Sequence, residues 1–489
     1  MVSTGDSPGV GRAFWWTLGL PRRTAIACFA IAVLACKFYL IAWPSAPVLA
    51  MDSGQYLEVA ADLREGHLEL HDRSPGYPVI LALTGSTKTA TRSLFYVSLL
   101  FHGLSVWLLL VMLHAAGLGE PSLVLFTMLA WLPLYAEPTG YVMTETLAQC
   151  LLVAGLGAVV WVLSRGSAIG LVAASLAFPA SAIVRPIYSV AGGLLGAALA
   201  LWPHVSGHSD PKKRRALRTA GAALLLGNLL IVGAFAEFNA RKFGFFGIVP
   251  TLGFNLTTKT ILFVEQLPEQ YATLREVLIR ERAAELVRRG GYHDGSQTVW
   301  NARPALAAAT GLSTPDLSAY LVRADLGLIR HAPVPYLRDV VRSAGTYWLP
   351  ANGVLADFHS TAARAAWLVV HGSVVAIWWL QIATLVGAIV FDLTRRICSG
   401  GPYPRLLQQL SASPTAVASY LLAAFLVFYT MAITCLIDIG EPRQRRPTDL
   451  LILFMGALGI HVWTQTFCCS SMRRDRHPGD QGPVPASQR

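Results

Sequence analysis

Charged side chains stand at the ends of apolar runs in this sequence, where charge is costly unless it has a partner or a task. Asp52 follows the first apolar run, and Glu145 opens a later one. Arg185 separates two apolar runs, while Arg443 and Arg445 alternate along a late loop bounded by prolines. A carboxylate can accept a proton, and arginines can hold phosphate oxygens through several donors. These residue types suit an acid–base step beside an anionic group at a membrane surface.

Each of these residues also has an ordinary structural interpretation, which stays open for the residue taken alone. Asp52 precedes Ser and Gly, a pattern typical of a helix N-cap. Glu145 suits the first turn of a helix because it offsets the helix dipole. Arg185 could extend to the membrane interface, and the arginines of the late loop could simply be solvated. What favours a site is that all of them lie at span ends on one expected side.

The stretch over residues 51–78 predicts a short interfacial helix followed by a rigid turn. Asp52, Tyr56 and Ala60 have i, i+4 spacing and share one helix face. Gly66 is expected to end this helix, because glycine accepts the left-handed conformation found after helix ends. The sequence SPGYP that follows predicts a turn whose prolines fix φ.

The composition predicts a multi-pass membrane protein. Of 489 residues, 54% are hydrophobic and only 14% are charged, which is too apolar for a soluble chain of this size. About ten apolar runs reach or approach about 20 residues, the length that a helix needs to cross a bilayer. These runs cover residues 24–43, 93–115, 123–135, 142–163, 169–183, 187–202, 220–238, 365–390, 417–437 and 450–467. We expect an all-α integral membrane protein with about ten transmembrane helices.

Basic residues in the loops predict how these helices are oriented. The net charge of +11 lies largely in short loops and tails, where it marks the cytoplasmic side and does not indicate nucleic-acid binding. Basic residues before the first run, over 212–218 and over 473–476 place both termini in the cytoplasm. Arg443, Arg445 and Arg446 break this rule because their loop falls outside, which makes the loop a candidate site.

The expected organisation has four parts. They are an N-terminal transmembrane catalytic module over 1–238 with a first outer loop over 44–92, an extracytoplasmic helical segment over 239–361, C-terminal transmembrane helices over 362–469, and a cytoplasmic tail over 470–489. Within the second part, residues 269–289 place apolar side chains near helical spacing among charges. That pattern predicts amphipathic helices packed on the outer membrane face.

Short motifs occur in a defined order over most of the chain. They are D-x-x-x-Y-x-x-x-A, then R-x-P-G-Y-P, an S/T-E pair that opens a span, R-P at a span junction, and a late E-x-R-x-R-x-P loop. In this chain they comprise Asp52, Tyr56 and Ala60; Arg73, Pro75, Gly76, Tyr77 and Pro78; Thr144 and Glu145; Arg185 and Pro186; and Glu441, Arg443, Arg445 and Pro447. The combination resembles GT-C membrane glycosyltransferases, in particular bacterial relatives of protein O-mannosyltransferases and of the aminoarabinose transferases that modify lipid A.

The resemblance implies a GT-C-type helical bundle and an enzyme, a hexosyl- or pentosyltransferase. It would move a sugar, with inversion, from a polyprenyl-phosphate donor to an extracytoplasmic acceptor such as a glycolipid, a polysaccharide or a protein. Asp52 is implied as the catalytic base. Glu145 is implied to orient the acceptor, or a divalent metal if one is used, and no cofactor is certain.

The resemblance also implies where the donor binds. Arg443, Arg445 and Arg185 would hold the lipid phosphate, and we expect positioning roles for three neighbours of the first loop, Tyr56, Arg73 and Tyr77. The expected location is the plasma (inner) membrane, with the active site facing the extracytoplasmic side. Two departures from the family pattern are Gln444, which replaces an aromatic residue, and the single Asp52, which replaces the paired acids of the protein mannosyltransferases.

A transporter or flippase of lipid-linked sugars is the alternative, in which the same charges guide a headgroup. Transporters of that kind favour charges near mid-span and broken helices in paired repeats, whereas the charges here cluster at outer span ends and no internal repeat is evident. A non-catalytic assembly protein would leave the clustered acids and arginines without a role.

No metal site is predicted from the sequence. The seven cysteines lie mostly within or beside apolar runs. The histidines, His67 and His71 among them, are scattered without the spacing of metal ligands.

Overall fold

The computed structural model describes residues 20–42, 46–50, 52–67, 69–205, 211–288, 290, 295, 297–349, 361–399 and 414–474. In this part the chain is helical almost throughout, and its one β-bridge joins Val48 to Tyr141 in parallel. The expected all-α fold is therefore confirmed. The tail from 475 onward lies outside the described residues.

The first half of the chain forms a bundle of apolar helices. They are α1 (Arg22–Ala42), α2 (Ser53–Glu65), α3 (Gly76–Leu83), α4 (Arg92–Ala115), α5 (Glu120–Ala130), α6 (Pro133–Ala136), α7 (Glu145–Arg165), α8 (Ala168–Val184), α9 (Ala191–Val205) and α10 (Pro211–Phe243). Short 3₁₀ turns at Glu137–Gly140 and Pro186–Tyr188 precede α7 and follow α8. The helix predicted after Asp52 forms as α2, and Gly66 ends it with a left-handed φ of 80°.

The second half contains shorter helices in the segment that we expected outside the membrane, which we call the outer segment, and then the last long helices. They are α11 (Leu252–Thr260), α12 (Ala272–Arg288), α13 (Thr298–Thr310), α14 (Thr314–His331), α15 (Pro333–Tyr347), α16 (Thr361–Ser399), α17 (Pro414–Ile437) and α18 (Pro442–Arg474). The amphipathic helix predicted over 269–289 forms as α12 and buries Leu274, Val277 and Leu278. These side chains join an apolar core that the outer segment builds for itself, separate from the core of the apolar bundle.

The described helices support a multi-pass membrane protein. Six of them are long and apolar enough to cross a bilayer. They cover Arg22–Ile41, Arg92–Ala115, Glu145–Arg165, Arg214–Phe243, Arg364–Thr384 and Thr415–Ile437. Three further runs that we expected to span are shorter apolar helices, Glu120–Ala130, Ala168–Val184 and Pro186–Leu201. The last expected run lies inside α18, so the total of about ten spans stays a prediction.

Helix α7 lies at the centre of the bundle. Of its most apolar 18-residue window, 72% is buried within the protein, against 17% for α1 at the periphery. A helix surrounded by other helices presents few side chains to lipid. The start of α7, where Glu145 lies, is therefore enclosed by neighbouring elements.

Helices α9 and α10 cross at two glycines. A Cβ added to Gly196 would lie 2.7 Å from the Gly221 carbonyl oxygen, and one added to Gly221 would lie 2.5 Å from the Ala200 nitrogen. Small residues allow membrane helices to approach until their backbones touch. The resulting van der Waals contact stabilises the pair, because the hydrophobic effect contributes little to helix association in lipid.

Enlarging one glycine of this crossing should weaken the bundle. We expect Gly221→Leu to lower the free energy of unfolding by about 1–3 kcal/mol, because the added side chain forces the two backbones apart. The matched control is Gly233→Leu on the same helix, where a Cβ meets nothing within 4 Å. Thermal unfolding in detergent measures both variants, and equal melting temperatures would contradict the tight crossing.

Candidate active site

The first outer loop is fixed to the start of α7 by short backbone contacts. The Val48 nitrogen donates to the Gly140 carbonyl at 2.8 Å, and the Val142 nitrogen donates to the Val48 carbonyl at 3.0 Å. The Ser53 hydroxyl donates to the Val142 carbonyl at 2.9 Å. Because Ser53 follows Asp52 and Val142 precedes Glu145 by three residues, these bonds place the two acids in neighbouring elements.

The SPGYP turn docks against the end of α8. The Ser74 hydroxyl donates to the Val184 carbonyl at 3.1 Å. A Cβ on Gly76 would lie 2.6 Å from the Ile183 carbonyl oxygen, so only glycine allows this approach. Helix α8 ends here because Arg185 precedes a proline and takes an extended conformation. The turn thus fixes the residue after Arg73 to the residue before Arg185.

The Asp52 carboxylate binds two arginines and does not cap its helix. Asp52 is the N-cap residue of α2, yet its side chain makes no capping hydrogen bond. Its Oδ1 accepts a hydrogen bond from Arg73 Nη2 at 2.6 Å, and its Oδ2 lies 3.1 Å from Arg443 Nη1. Arg73 belongs to the first loop and Arg443 to the first turn of α18. The capping interpretation of this residue therefore loses its support.

Glu145 and Arg185 form a second pair beside the first. Glu145 Oε1 lies 3.2 Å from Arg185 Nη1, and the side chains are 3% and 14% exposed. The charges of Glu145 and Arg185 both act on the Tyr56 hydroxyl, as do those of Arg73 and Asp52. The ion pairs of Asp52 and of Glu145 therefore lie around one tyrosine and form a single charged cluster, which we call the Asp52 cluster.

Several polar atoms of the Asp52 cluster have no hydrogen bond of normal geometry, although they are buried. Within the described residues the charged side chains contribute three of them, Glu145 Oε2, Arg185 Nη1 and Arg443 Nε. Buried polar atoms are nearly always hydrogen-bonded, and exceptions ask for an explanation such as an absent ligand or water. Two of the three are guanidinium donors, so an anionic or hydroxylic ligand would satisfy them.

Tyr56 and Tyr77 form the floor of the cluster. Their rings meet edge to face at 5.5 Å between centroids, and the Arg73 guanidinium lies 5.4 Å above the Tyr56 ring. Burial is the largest influence on both hydroxyls and raises the pKa of Tyr56 and of Tyr77 above the ordinary value. Both hydroxyls therefore keep their protons and can donate hydrogen bonds.

Arg445 contacts a different set of residues from Arg443. Its side chain is 2% exposed and pairs with Asp449 at 2.7 Å. Its Nη1 donates to the carbonyls of Tyr347 and Leu349 at 2.5 and 3.2 Å. These bonds join α18 to the end of α15. The structure thus places Arg445 where it fixes the late loop, outside the Asp52 cluster.

The sequence reasoning missed a buried ion pair beside the late loop. Arg446 Nη2 lies 2.7 Å from Glu137 Oε2, with the side chains 10% and 3% exposed. Glu137 lies in the 3₁₀ turn before α7, which the sequence suggests only as a short polar turn. Gln444, which departs from the family pattern, donates to Asp438 Oδ2 at 2.5 Å. Both contacts hold the start of α18 in place.

The outer segment contacts both loops that form the Asp52 cluster. Arg303 donates to Asp72, the residue before Arg73, and to the Thr314 hydroxyl at 2.9 Å. On the other side, Gly440 has a φ of 68°, and a Cβ there would lie 2.7 Å from the Ser343 carbonyl oxygen. No sequence motif marks these contacts, because they join residues far apart in the chain.

A buried lysine strengthens the contact at Gly440. The Lys259 side chain is fully buried and pairs with Asp339 Oδ2 at 2.6 Å. Its ammonium also donates to the Ser343 hydroxyl. A buried charge is strongly destabilising when it loses its partner, so Lys259 ties α11 to the part of α15 that faces the late loop.

Comparison with known proteins finds similar solved structures. One of them is the crystal structure of ArnT from Cupriavidus metallidurans bound to undecaprenyl phosphate, which shares 14% identity and a TM-score of 0.35 with this chain. The similarity covers 94% of this chain and 82% of that one. No protein-family model and no curated protein matches the chain.

The outer segment contains a buried acid whose titration can be tested. Asp325 accepts hydrogen bonds from the hydroxyls of Thr257 at 2.7 Å and Thr260 at 2.5 Å. Burial outweighs these bonds and raises the pKa of Asp325 to about 7. The folded protein therefore holds this proton at a pH where the unfolded chain has released it.

The free energy of unfolding should accordingly fall as the pH rises from about 4 to about 7. The full change attributable to Asp325 is on the order of 4 kcal/mol, from about 1.4 kcal/mol for each pKa unit. We expect the stability of Asp325→Asn relative to the wild type to be greater at pH 8 than at pH 5. Thermal unfolding at the two pH values measures this difference. Asp316→Asn, at the exposed start of the same helix, is the control. If the stability difference between the wild type and Asp325→Asn did not change with pH, the raised pKa of Asp325 would be contradicted.

Proposed function

We propose that this protein is a membrane glycosyltransferase that moves a sugar, with inversion, from a polyprenyl-phosphate donor to an acceptor outside the cytoplasm. The observation that carries the proposal is the set of contacts made by the Asp52 carboxylate. Its carboxylate makes no capping bond and lies between Arg73 and Arg443, which come from distant parts of the chain. The motif resemblance assigns the role of base to this same residue.

Arg443 is the residue best suited to the donor phosphate. It is held by ion pairs with Asp52 at 3.1 Å and Glu441 at 3.6 Å, and its Nε lacks a hydrogen bond. Guanidinium groups bind phosphate oxygens through paired donors. A phosphate at this position competes with Asp52 for Arg443, so donor binding would release Asp52 Oδ2. The base would then become available only when the donor is present.

The proposed reaction is a single displacement at the anomeric carbon. The acceptor hydroxyl transfers its proton to Asp52 as its oxygen forms a bond to that carbon from the face opposite the phosphate. The bond between the carbon and the phosphate oxygen breaks, and the electron pair leaves with the polyprenyl phosphate. Arg443 and Arg185 offset the negative charge that develops on the leaving group, which is where fixed donors lower a barrier most.

Glu145 suits a role in orienting the acceptor. One of its oxygens faces Arg185, and the other is buried without a hydrogen bond. A hydroxyl of the acceptor would satisfy that second oxygen. Glu145 would in this way fix the acceptor relative to Asp52, which contributes to the rate through orientation.

The positions of the charges support a transferase over a transporter. Asp52, Glu145, Arg185 and Arg443 lie at the first residues of helices or directly beside helix ends. A transporter that moves a headgroup across the bilayer needs polar groups along its path. The positive-inside pattern predicts that the Asp52 cluster faces the extracytoplasmic side, where the acceptor would be met.

Replacing the proposed base should remove transfer and keep donor binding. We expect Asp52→Asn to lower the rate of sugar transfer by about 10²–10⁴-fold, the usual contribution of a general base. The assay uses purified protein, a panel of radiolabelled polyprenyl-phosphate sugars and membrane extracts, and it scores which product gains label. Glu58→Gln, an exposed position on the same helix, is the control. Full activity of Asp52→Asn would contradict the proposal.

Replacing Arg443 should act on the donor. We expect Arg443→Gln to weaken binding of a polyprenyl phosphate by tenfold or more, since charged hydrogen bonds contribute about 1.5–3 kcal/mol. Binding is measured by quenching of intrinsic fluorescence on titration with the lipid in detergent. Arg338→Gln, an exposed arginine of the outer segment, should bind as the wild type does. Unchanged affinity of Arg443→Gln would remove Arg443 from the donor site.

A further inference from the structure

The loop between α2 and the SPGYP turn brings together a histidine and two carboxylates. Asp62 lies in the last turn of α2, and Glu69 and His71 follow Gly66 on the returning chain. One ligand atom from each of the three lies within 4.8 Å of the others. Imidazole nitrogen and carboxylate oxygen are the ligands that borderline divalent metals prefer in proteins.

The His71 and Asp62 atoms are placed as two ligands of one ion would be. His71 Nε2 lies 2.9 Å from Asp62 Oδ2, and the side chains are 17% and 25% exposed. The Nε2 atom itself is buried, yet it makes no hydrogen bond of normal geometry despite this short distance. Two donor atoms that each lie about 2.1 Å from a metal are about 3.0 Å apart at the right angle of octahedral coordination and about 3.4 Å apart at the tetrahedral angle. The observed separation of 2.9 Å fits the octahedral spacing.

We propose that Asp62, Glu69 and His71 form a binding site for a divalent metal ion of the Zn²⁺ or Mn²⁺ class. The imidazole disfavours Ca²⁺ and Mg²⁺, which take oxygen ligands. The exposed Glu69 side chain leaves one side open to solvent, so water can complete the coordination. The three residues span only ten positions, but they become neighbours because the chain reverses at Gly66.

The site is distinct from the Asp52 cluster and would act on it through the backbone. His71 precedes Arg73 by two residues, and Arg73 donates to Asp52. Between them, Asp72 is held by Arg303. A bound ion would tie the end of α2 to the segment that presents Arg73. The site stands on its own geometry and does not depend on the proposed transfer reaction.

The test is metal binding by the purified full-length protein in detergent, without a histidine tag and after treatment with a chelator. Titration with Zn²⁺ and, separately, Mn²⁺ by isothermal calorimetry should show one saturable site. We expect His71→Ala and Glu69→Gln each to weaken that site by tenfold or more. His67→Ala is the matched control, because His67 lies on the same loop with its side chain 62% exposed and has no place in the three-residue cluster.

The outcomes separate a metal site from a simple ion pair between His71 and Asp62. One saturable site in the wild type and in His67→Ala, lost in His71→Ala and Glu69→Gln, supports the proposal. Glu69 is exposed, so its variant tests the site even if His71→Ala does not fold. Absence of saturable binding to the wild type, or equal affinity in Glu69→Gln, overturns it.

Discussion

The Asp52 carboxylate between Arg73 and Arg443 is the interaction on which the rest of the structure depends. It joins the first outer loop to the start of the last long helix, over nearly the full length of the chain. Each arginine reaches the Asp52 carboxylate because the loop that contains the arginine is fixed to a neighbouring helix. The turn before α3 docks on the end of α8 through Gly76, and the loop before α18 packs on α15 through Gly440. Two glycines that permit backbone contact therefore set the geometry of the charged cluster.

Charged side chains at the helix ends of an apolar bundle are costly unless acids and arginines pair with one another. Here acids and arginines alternate: Asp52 with Arg73 and Arg443, and Glu145 with Arg185. The charges are balanced, but one buried atom each of Glu145, Arg185 and Arg443 makes no hydrogen bond of normal geometry. A rigid scaffold that leaves donors unsatisfied is prepared to bind a ligand that supplies acceptors. The outer segment contributes by holding both loops, and so affects the cluster without entering it.

The sequence predicts the local features well and the long-range ones poorly. The helix after Asp52, its end at Gly66 and the helical outer segment follow from spacing and residue type, and the structure contains them. Arg443 and Arg445 look equivalent in the sequence, because both are arginines of one loop, yet only Arg443 lies beside Asp52. The pairs Arg446–Glu137 and Arg303–Asp72 were not foreseen. Such contacts are set by how helices pack, and a single sequence holds no periodic signal for them.

The most direct test of the account is to map where a polyprenyl phosphate binds. The wild-type protein would be irradiated with a polyprenyl phosphate that has a photoreactive group next to its phosphate, and the labelled peptides identified by mass spectrometry. We expect label in the peptides that contain Arg443 and the first outer loop around Asp52, and loss of that label when unmodified lipid competes. Label confined to the basic start of α10, around Arg214 and Arg218, would contradict it.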